Sequence, residues 1–244
     1  MIIGISGYVG NRLTGIGRVL INILSELAKQ YPEDKYVLFR NFDFKEYDNL
    51  TQYQNIEIVD VPYTKESGLK NILWHQWLFQ KLLKKYKCDI AYIPNFTLLL
   101  WKTIPTIVTI HDLIEYNVPD KFSKARMFYR KQVCDPLMAK KSNHILTVSK
   151  SSYKDIISYL GVKPSKLTLT LNATDRNVFK KYSKEKIIPA IKKYNLEYKK
   201  YLLFVGTIDF PGKNIKTIIE AFFNLRSKNE LNGIKLVIIG KNGF

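Results

Sequence analysis

Cysteine, histidine and acidic side chains are all scarce in this chain. Two cysteines, Cys88 and Cys134, in 244 residues are too few and too isolated for a disulfide framework or a zinc cluster, so both are expected in the core. Only 21 Asp+Glu stand against 39 Lys+Arg, a formal charge of +18, and the surplus is densest after residue 180. Such a field attracts nucleotide phosphates, an anionic membrane or nucleic acid, and a solvated lysine-rich surface accounts for it equally well. No specific nucleic-acid partner is expected. Long apolar runs are missing too. The most apolar stretch, residues 96–110, is broken by Lys102 and Pro105, and the opening Met1-Ile2-Ile3-Gly4-Ile5 carries no basic leader. The expectation is a soluble, cytoplasmic chain without a transmembrane helix. Internal repeats and low-complexity tracts are absent as well.

What the chain does have is apolar material, 46% of its residues, arranged in alternating strand and helix patterns. Strands are expected at Ile2–Ser6, Tyr36–Phe39, Ile56–Val61, Asp89–Ile93, Thr106–Ile110, His144–Val148, Leu167–Leu171, Tyr201–Val205 and Leu236–Ile239. Several are unbroken apolar runs, which suits strands buried on both faces of a parallel sheet. Between them, Val19, Leu20, Ile23, Leu24 and Leu27 repeat at helical spacing, and a helix from Ser149 to Leu160 has a serine cap and a glycine stop at Gly161. The layout predicts an α/β fold with a doubly wound parallel sheet. Residues 172–200 are Lys- and Tyr-rich, contain Pro189 and show no strand. The expected division is therefore 1–175 as a first domain, 176–200 as a linker and 201–244 as part of a second. The final stretch, "IKLVIIGKNGF", runs from an apolar strand into a glycine turn, a pattern more usual in the middle of a domain, so the second domain is expected to be incomplete.

In such sheets ligands gather beyond the carboxyl ends of the strands. After the first strand comes "GYVGNRLTGIGRVL", in which Gly10, Gly15 and Gly17 let backbone approach a ligand and a helix starting near Gly17 offers free amides to an anion. The stretch fits neither the dinucleotide fingerprint nor the P-loop, and a structural turn explains it equally well. After the fifth strand, His111-Asp112 places two polar groups where a histidine can donate to a sugar hydroxyl or phosphate oxygen. A histidine that merely satisfies loop carbonyls is the plainer alternative. His75 and His144 look plainer still. The third stretch, "YLLFVGTIDFPGKNIKTIIEAF", sets Lys213 at a helix N-terminus, a combination suited to a pyrophosphate, with a solvated lysine as its rival.

Taken in order, TGIGR, IHDLIEYNVPDKF, TVSKSSYKDI, LTLNATDRNVF, YLLFVGTIDFPGKNIKTIIEAF and LVIIGKNGF resemble the pattern of glycosyltransferase family 4, of the GT-B fold, over the whole chain. The resemblance implies two Rossmann-like domains, the first mainly for the acceptor and the second for a nucleotide-sugar donor, with retention of anomeric configuration. Carried over by position, it implies that Gly15, Gly17 and Arg18 approach donor phosphates and acceptor, that His111 acts as the catalytic residue contacting the transferred sugar beside Asp112, and that Thr207 and Lys213 face the leaving diphosphate. No cofactor is implied, since the nucleotide-sugar is a co-substrate, and no metal, which agrees with the absence of any Asp-x-Asp pair. The partners implied are a nucleotide-sugar donor transferring a hexose and a glycan or lipid-linked acceptor in surface-polysaccharide synthesis.

Departures from the pattern are informative. Thr207 stands where many members have arginine, Gly212 stands where others place an arginine before the lysine, and Ala173 replaces a glycine. The later block of the family, a Glu pair eight residues apart, does not occur before Phe244, and residues 1–244 are expected not to transfer sugar alone. A nucleotide-sugar epimerase of the same fold and a non-catalytic binding chain are the alternatives. Finally, "LKNILWHQWLFQKLLKKYK", Leu69 to Lys87, reads on a helical wheel as an inward stripe of Ile72, Phe79, Leu82, Leu83 and Tyr86, with Trp74 and Trp77 among lysines. That pattern suggests peripheral contact with an anionic membrane at its inner face, and tryptophans packed under loops are the alternative.

Overall fold

A computed structural model describes residues 1–8, 13–61, 68–95, 97–119, 121–174, 176, 178–209 and 212–241. Gly10, expected near a ligand, lies outside the described residues, as does Pro211 of the third stretch. All nine expected strands form: β1 Ile2–Gly7, β2 Lys35–Arg40, β3 Ile56–Asp60, β4 Ile90–Ile93, β5 Thr106–Thr109, β6 His144–Thr147, β7 Leu167–Leu169, β8 Tyr201–Val205 and β9 Lys235–Ile239. The first seven make one parallel sheet in the order β3-β2-β1-β4-β5-β6-β7, and β8 and β9 make a separate parallel pair. Sequence order reverses between β1 and β4. That is the switch point, where the loops leaving two neighbouring strands diverge to opposite faces and open a crevice.

The first compact unit comprises residues 1–117 and 122–172. Its apolar runs are explained by two cores, one on each face of the sheet. Within β2, Val37 and Phe39 point to one core while Tyr36 and Leu38 point to the other, the period-two alternation of a strand covered on both sides. Helix Gly15–Gln30 covers the second face through Leu20, Ile21 and Leu24. The opposite face is closed by Trp74, Phe79 and Leu83 of helix 68–85, by Met138 and by Ile156. Close packing reaches the backbone at Gly4, where a Cβ would collide with the Leu83 side chain and sit 2.8 Å from the Cys88 sulfur. Both cysteines are buried and free. Helix Lys150–Leu160 ends as its sequence dictates. Ser149 Oγ accepts from the Ser152 amide at 3.0 Å, and Gly161 closes the helix at φ 62°, where a side chain would strain.

One expectation fails on helix 68–85. A wheel of 3.6 residues per turn puts Trp74 with the lysines, yet Trp74 is 0% exposed and stacks on Phe79 at 5.1 Å. Residues Trp74–Leu78 wind as a π-helix, and this wider turn shifts the phase of everything before it relative to everything after. The expected stripe holds after the bulge, at Phe79 and Leu83, and slips before it, where Trp74, His75 and Gln76 turn inward. Trp77 remains outside, 53% exposed.

The second unit comprises residues 118–121 and 173–244. The expected linker contains a helix, Lys184–Lys192, with Pro189 inside it. The β8-β9 pair is accompanied by helix Ile215–Ser227, in which only Ile215 and Phe222 are buried. Leu202, Leu203, Val205 and Ile239 face solvent, with Val205 69% exposed.

Candidate functional site

The crevice at the switch point is built from the ends of β1, β4 and β5. Asn95, two residues past β4, donates through Nδ2 to the Tyr8 carbonyl at 2.6 Å, joining the two loops that diverge there. Buried beneath them, His75 bridges Ser6 Oγ of β1 at 2.9 Å and the Asn71 carbonyl at 2.9 Å. Asn71 in turn accepts from Thr97 Oγ1 at 2.9 Å. A histidine without a charged partner in this position is held neutral: burial pushes its pKa down to about 4, with the Asn71 carbonyl opposing. His75 is thus a girder under the crevice, and the plain reading of it holds, as it does for His144, which ties β6 to β7 through Thr168 Oγ1 at 2.8 Å.

His111 lies just past β5 and lines a cavity of about 260 Å³ with Ile16, Thr109, Asp112, Phe122 and Arg130. Its Nε2 is 2.9 Å from the Pro94 carbonyl, an acceptor with no proton to give, so Nε2 carries the hydrogen. The expected donation to a substrate therefore cannot come from Nε2. In the neutral ring Nδ1 is left as an acceptor for a sugar hydroxyl, and it donates only as imidazolium. Ser152, one turn into helix Lys150–Leu160, fixes the other side by donating to the His111 carbonyl at 2.8 Å. Both anchors pre-set the ring, as a site residue requires and as a packed loop also permits.

The remaining expected residues divide. Asp112 is spent locally, its Oδ1 3.3 Å from the Ile114 amide at the start of the turn Ile114–Asn117. Gly15 opens helix Gly15–Gln30, two residues earlier than expected, and a Cβ there would meet nothing within 4 Å, so the chain itself does not demand glycine. Gly17 is buried, while Arg18 faces outward 3.6 Å from Glu46. In the second unit Thr207 is exposed after β8. Lys213 is exposed before helix Ile215–Ser227, whose entry is made by Asn214 in the left-handed region at φ 49°. Its backbone amide is 3.3 Å from the Asp209 carbonyl, and the Asp209 carboxylate pairs with Lys121 of the same unit. No group of three or more His, Cys, Asp and Glu suited to a metal occurs among the described residues.

Sequence reasoning missed the groups that make the rest of the crevice. A larger cavity, about 590 Å³, is lined by Asn71, Asn95, Thr97, Arg126, Tyr129 and Arg130 together with apolar side chains. Arg130 contributes to both cavities. Its guanidinium is 3.2 Å from Glu115, whose side chain is fully buried, and Asp135 is buried beside them. Burial first and the adjoining Glu115 carboxyl second push the Asp135 carboxyl far above the usual carboxylate range. A signal existed: in a chain whose cations are nearly all lysine, "RMFYR" puts two arginines one helical turn apart.

The profile of Glycosyltransferase Family 4 matches residues 13–178, well over half of the chain. The chain belongs to glycosyltransferase family 4. It is 26% identical to the O-antigen chain mannosyltransferase B of Escherichia coli over 95% of this chain and 62% of that protein. This family member therefore spans less than two thirds of that relative's length. Among solved structures it resembles Anabaena HepE in complex with UDP and glucose (TM-score 0.63, 16% identity, 100% of this chain and 61% of that one). It also resembles WaaG, a glycosyltransferase involved in lipopolysaccharide biosynthesis (TM-score 0.66, 14% identity, 97% and 62%). At these identities the likeness concerns the fold, which is the α/β architecture of GT-B glycosyltransferases.

Proposed function

We propose that the chain supplies the acceptor side, and donor-side residues on its second unit, of a retaining hexosyltransferase that takes a nucleotide-sugar donor and a glycan or lipid-linked acceptor in polysaccharide synthesis. The observation that carries the proposal is the convergence at the switch point of His111, Asn95 and Arg130 on two adjoining cavities, within a chain of glycosyltransferase family 4. The relative's action on O-antigen and the UDP bound in the HepE structure support the substrate classes.

In the reaction proposed, departure of the nucleoside diphosphate builds negative charge on its oxygens, and fixed cations and amides stabilise that charge. Lys213 and the first amides of helix Ile215–Ser227 have the chemistry for this. His111 orients the transferred sugar by accepting from a hydroxyl through Nδ1, held in register by the Pro94 and Ser152 bonds. In the whole protein, His111→Ala is expected to lower kcat/KM about 10- to 100-fold, the loss of one hydrogen bond to the reacting sugar. Folding should be nearly unchanged. Turnover equal to wild type at saturating donor rejects the role, and release of an epimerised sugar without acceptor assigns the epimerase reading instead.

Peripheral membrane contact belongs to the same proposal, on a revised surface. The Gln76 side chain clamps the loop after β4 to helix 68–85, donating to the Leu98 carbonyl at 2.8 Å and accepting from the amides of Leu100 and Trp101 at 3.0 and 3.2 Å. The clamp holds Leu100 and Trp101, both half-exposed, next to the helix that bears exposed Leu69, Leu73 and Trp77 with Lys81 and Lys84. Apolar side chains beside lysines suit an anionic bilayer surface. No described helix is long and apolar enough to cross a membrane. Sedimentation with vesicles containing an anionic lipid should be lost on Trp77→Ser with Trp101→Ser. Retained sedimentation removes this surface from the proposal.

A further inference from the structure

Among the described residues no acidic side chain lines the 590 Å³ cavity, and two arginines do. Arg126 and Arg130 lie one turn apart on the same helical segment and share an aromatic floor, their Cζ atoms 4.2 and 5.2 Å from the centroid of the Phe122 ring. Two like charges held this close repel, and partial burial first and Arg130 second lower the pKa of the still exposed Arg126. Glu115 pairs with Arg130 at 3.2 Å. Among the described residues Arg126 has no ion pair. An ion pair that merely fastens helix and turn together explains Arg130 and Glu115, but it leaves Arg126 unexplained. Arginine in place of the lysine used nearly everywhere else points to planar, bidentate recognition, for which phosphate is the matching anion.

We propose that this cavity seats a phosphoryl group of the acceptor on Arg126 and Arg130, so that the acceptor class is a sugar phosphate, either free or as the head of a lipid-linked glycan. The inference rests on the acceptor-side reading given above. The cavity is larger than a phosphate fills, and the space beyond the arginines is lined by Asn71, Asn95, Thr97 and Tyr129, groups that hydrogen-bond hydroxyls. Asn95 Oδ1 is buried there without a partner among the described residues, an acceptor awaiting a donor. Because Arg130 also walls the cavity of His111, a phosphoryl group held there leaves the attached sugar next to the proposed reaction centre.

The test is binding, measured by calorimetry on this chain with mannose 1-phosphate, methyl mannoside and farnesyl diphosphate as probes. The phosphorylated probes should bind at least about tenfold more tightly than methyl mannoside, the scale of one charge-assisted contact. Arg126→Gln should remove that preference and Arg126→Lys should restore part of it. Arg126 is exposed, so these variants do not strip a partner from a buried charge. Tighter binding of farnesyl diphosphate than of mannose 1-phosphate assigns a lipid-linked source, and the reverse assigns a soluble one. Equal binding of mannose 1-phosphate and methyl mannoside, no binding of either phosphorylated probe, or a preference unaltered in Arg126→Gln overturns the proposal. Binding does not depend on turnover, so a phosphate preference in this chain, joined to a whole protein that transfers no sugar, would fault the transferase reading and leave this site standing.

Discussion

The seven-stranded sheet and the β8-β9 pair are written in the same sequence language and differ in how their side chains are spent. Both consist of short apolar runs in parallel register. In the first, Val37, Leu38, Phe39 and Ile93 are fully buried because helices close both faces. In the second, Leu203 and Val205 reach solvent, and helix Ile215–Ser227 buries only Ile215 and Phe222. An apolar run therefore states what a strand needs, and the neighbouring elements decide what it gets. The consequence for function is direct. Candidate site residues on the first unit are held by a core and by crossed hydrogen bonds, whereas Lys213 and Thr207, the candidates on the second, are exposed.

The two units should differ most at their best-buried and most exposed side chains. Trp74→Ala removes a buried ring stacked on Phe79 and should cost about 3–5 kcal/mol in urea denaturation, while Leu203→Ala should stay within about 0.5 kcal/mol. Similar costs at the two positions would erase the distinction. The next effect is in pH. His75 has a folded pKa of about 4, below the ordinary 6.5, so the unfolded chain takes up a proton first as pH falls. Stability is complete above the ordinary value and should drop by roughly 3 kcal/mol as pH falls through that window, a dependence that His75→Gln should flatten. Asp135 adds the opposite slope. Its folded pKa is raised, so the unfolded chain loses the proton first and stability declines as pH rises from the ordinary carboxyl range. An acid-side profile unchanged by His75→Gln would contradict the girder role. Smaller again is Gly4→Ala, which meets Leu83 and Cys88 and should cost about 1–3 kcal/mol, against Gly15→Ala, which meets nothing and should lie within about 0.5 kcal/mol. If Gly15→Ala nevertheless weakens ligand binding, the glycine serves the ligand and not the fold.

These contrasts show how much of the molecule was legible beforehand. Strands were legible because burial on two faces leaves a continuous apolar signature, and helix Lys150–Leu160 because both of its ends are chemically marked by Ser149 and Gly161. The π-turn at Trp74–Leu78 was not, since no residue type specifies it and its effect is to change the phase by which the rest is read. The crevice was half legible. His111 follows an apolar run to its end, which is visible in one dimension. Its bond to the Pro94 carbonyl joins β5 to β4, and the pairing of Arg130 with Glu115 joins two segments whose adjacency only the fold creates. Asn95 was passed over for the same reason, being an ordinary residue until the fold brings it to the Tyr8 carbonyl.

The first unit is a closed body able to hold a site in place, which native-state hydrogen exchange can measure. Amides of residues 107–110 in β5 and its end should exchange at least about 100-fold more slowly than those of residues 202–205 in β8, because the first open only with the core and the second open locally. Equal protection in the two segments of the monomeric chain would contradict the account and would mean that the second unit is as well held as the first.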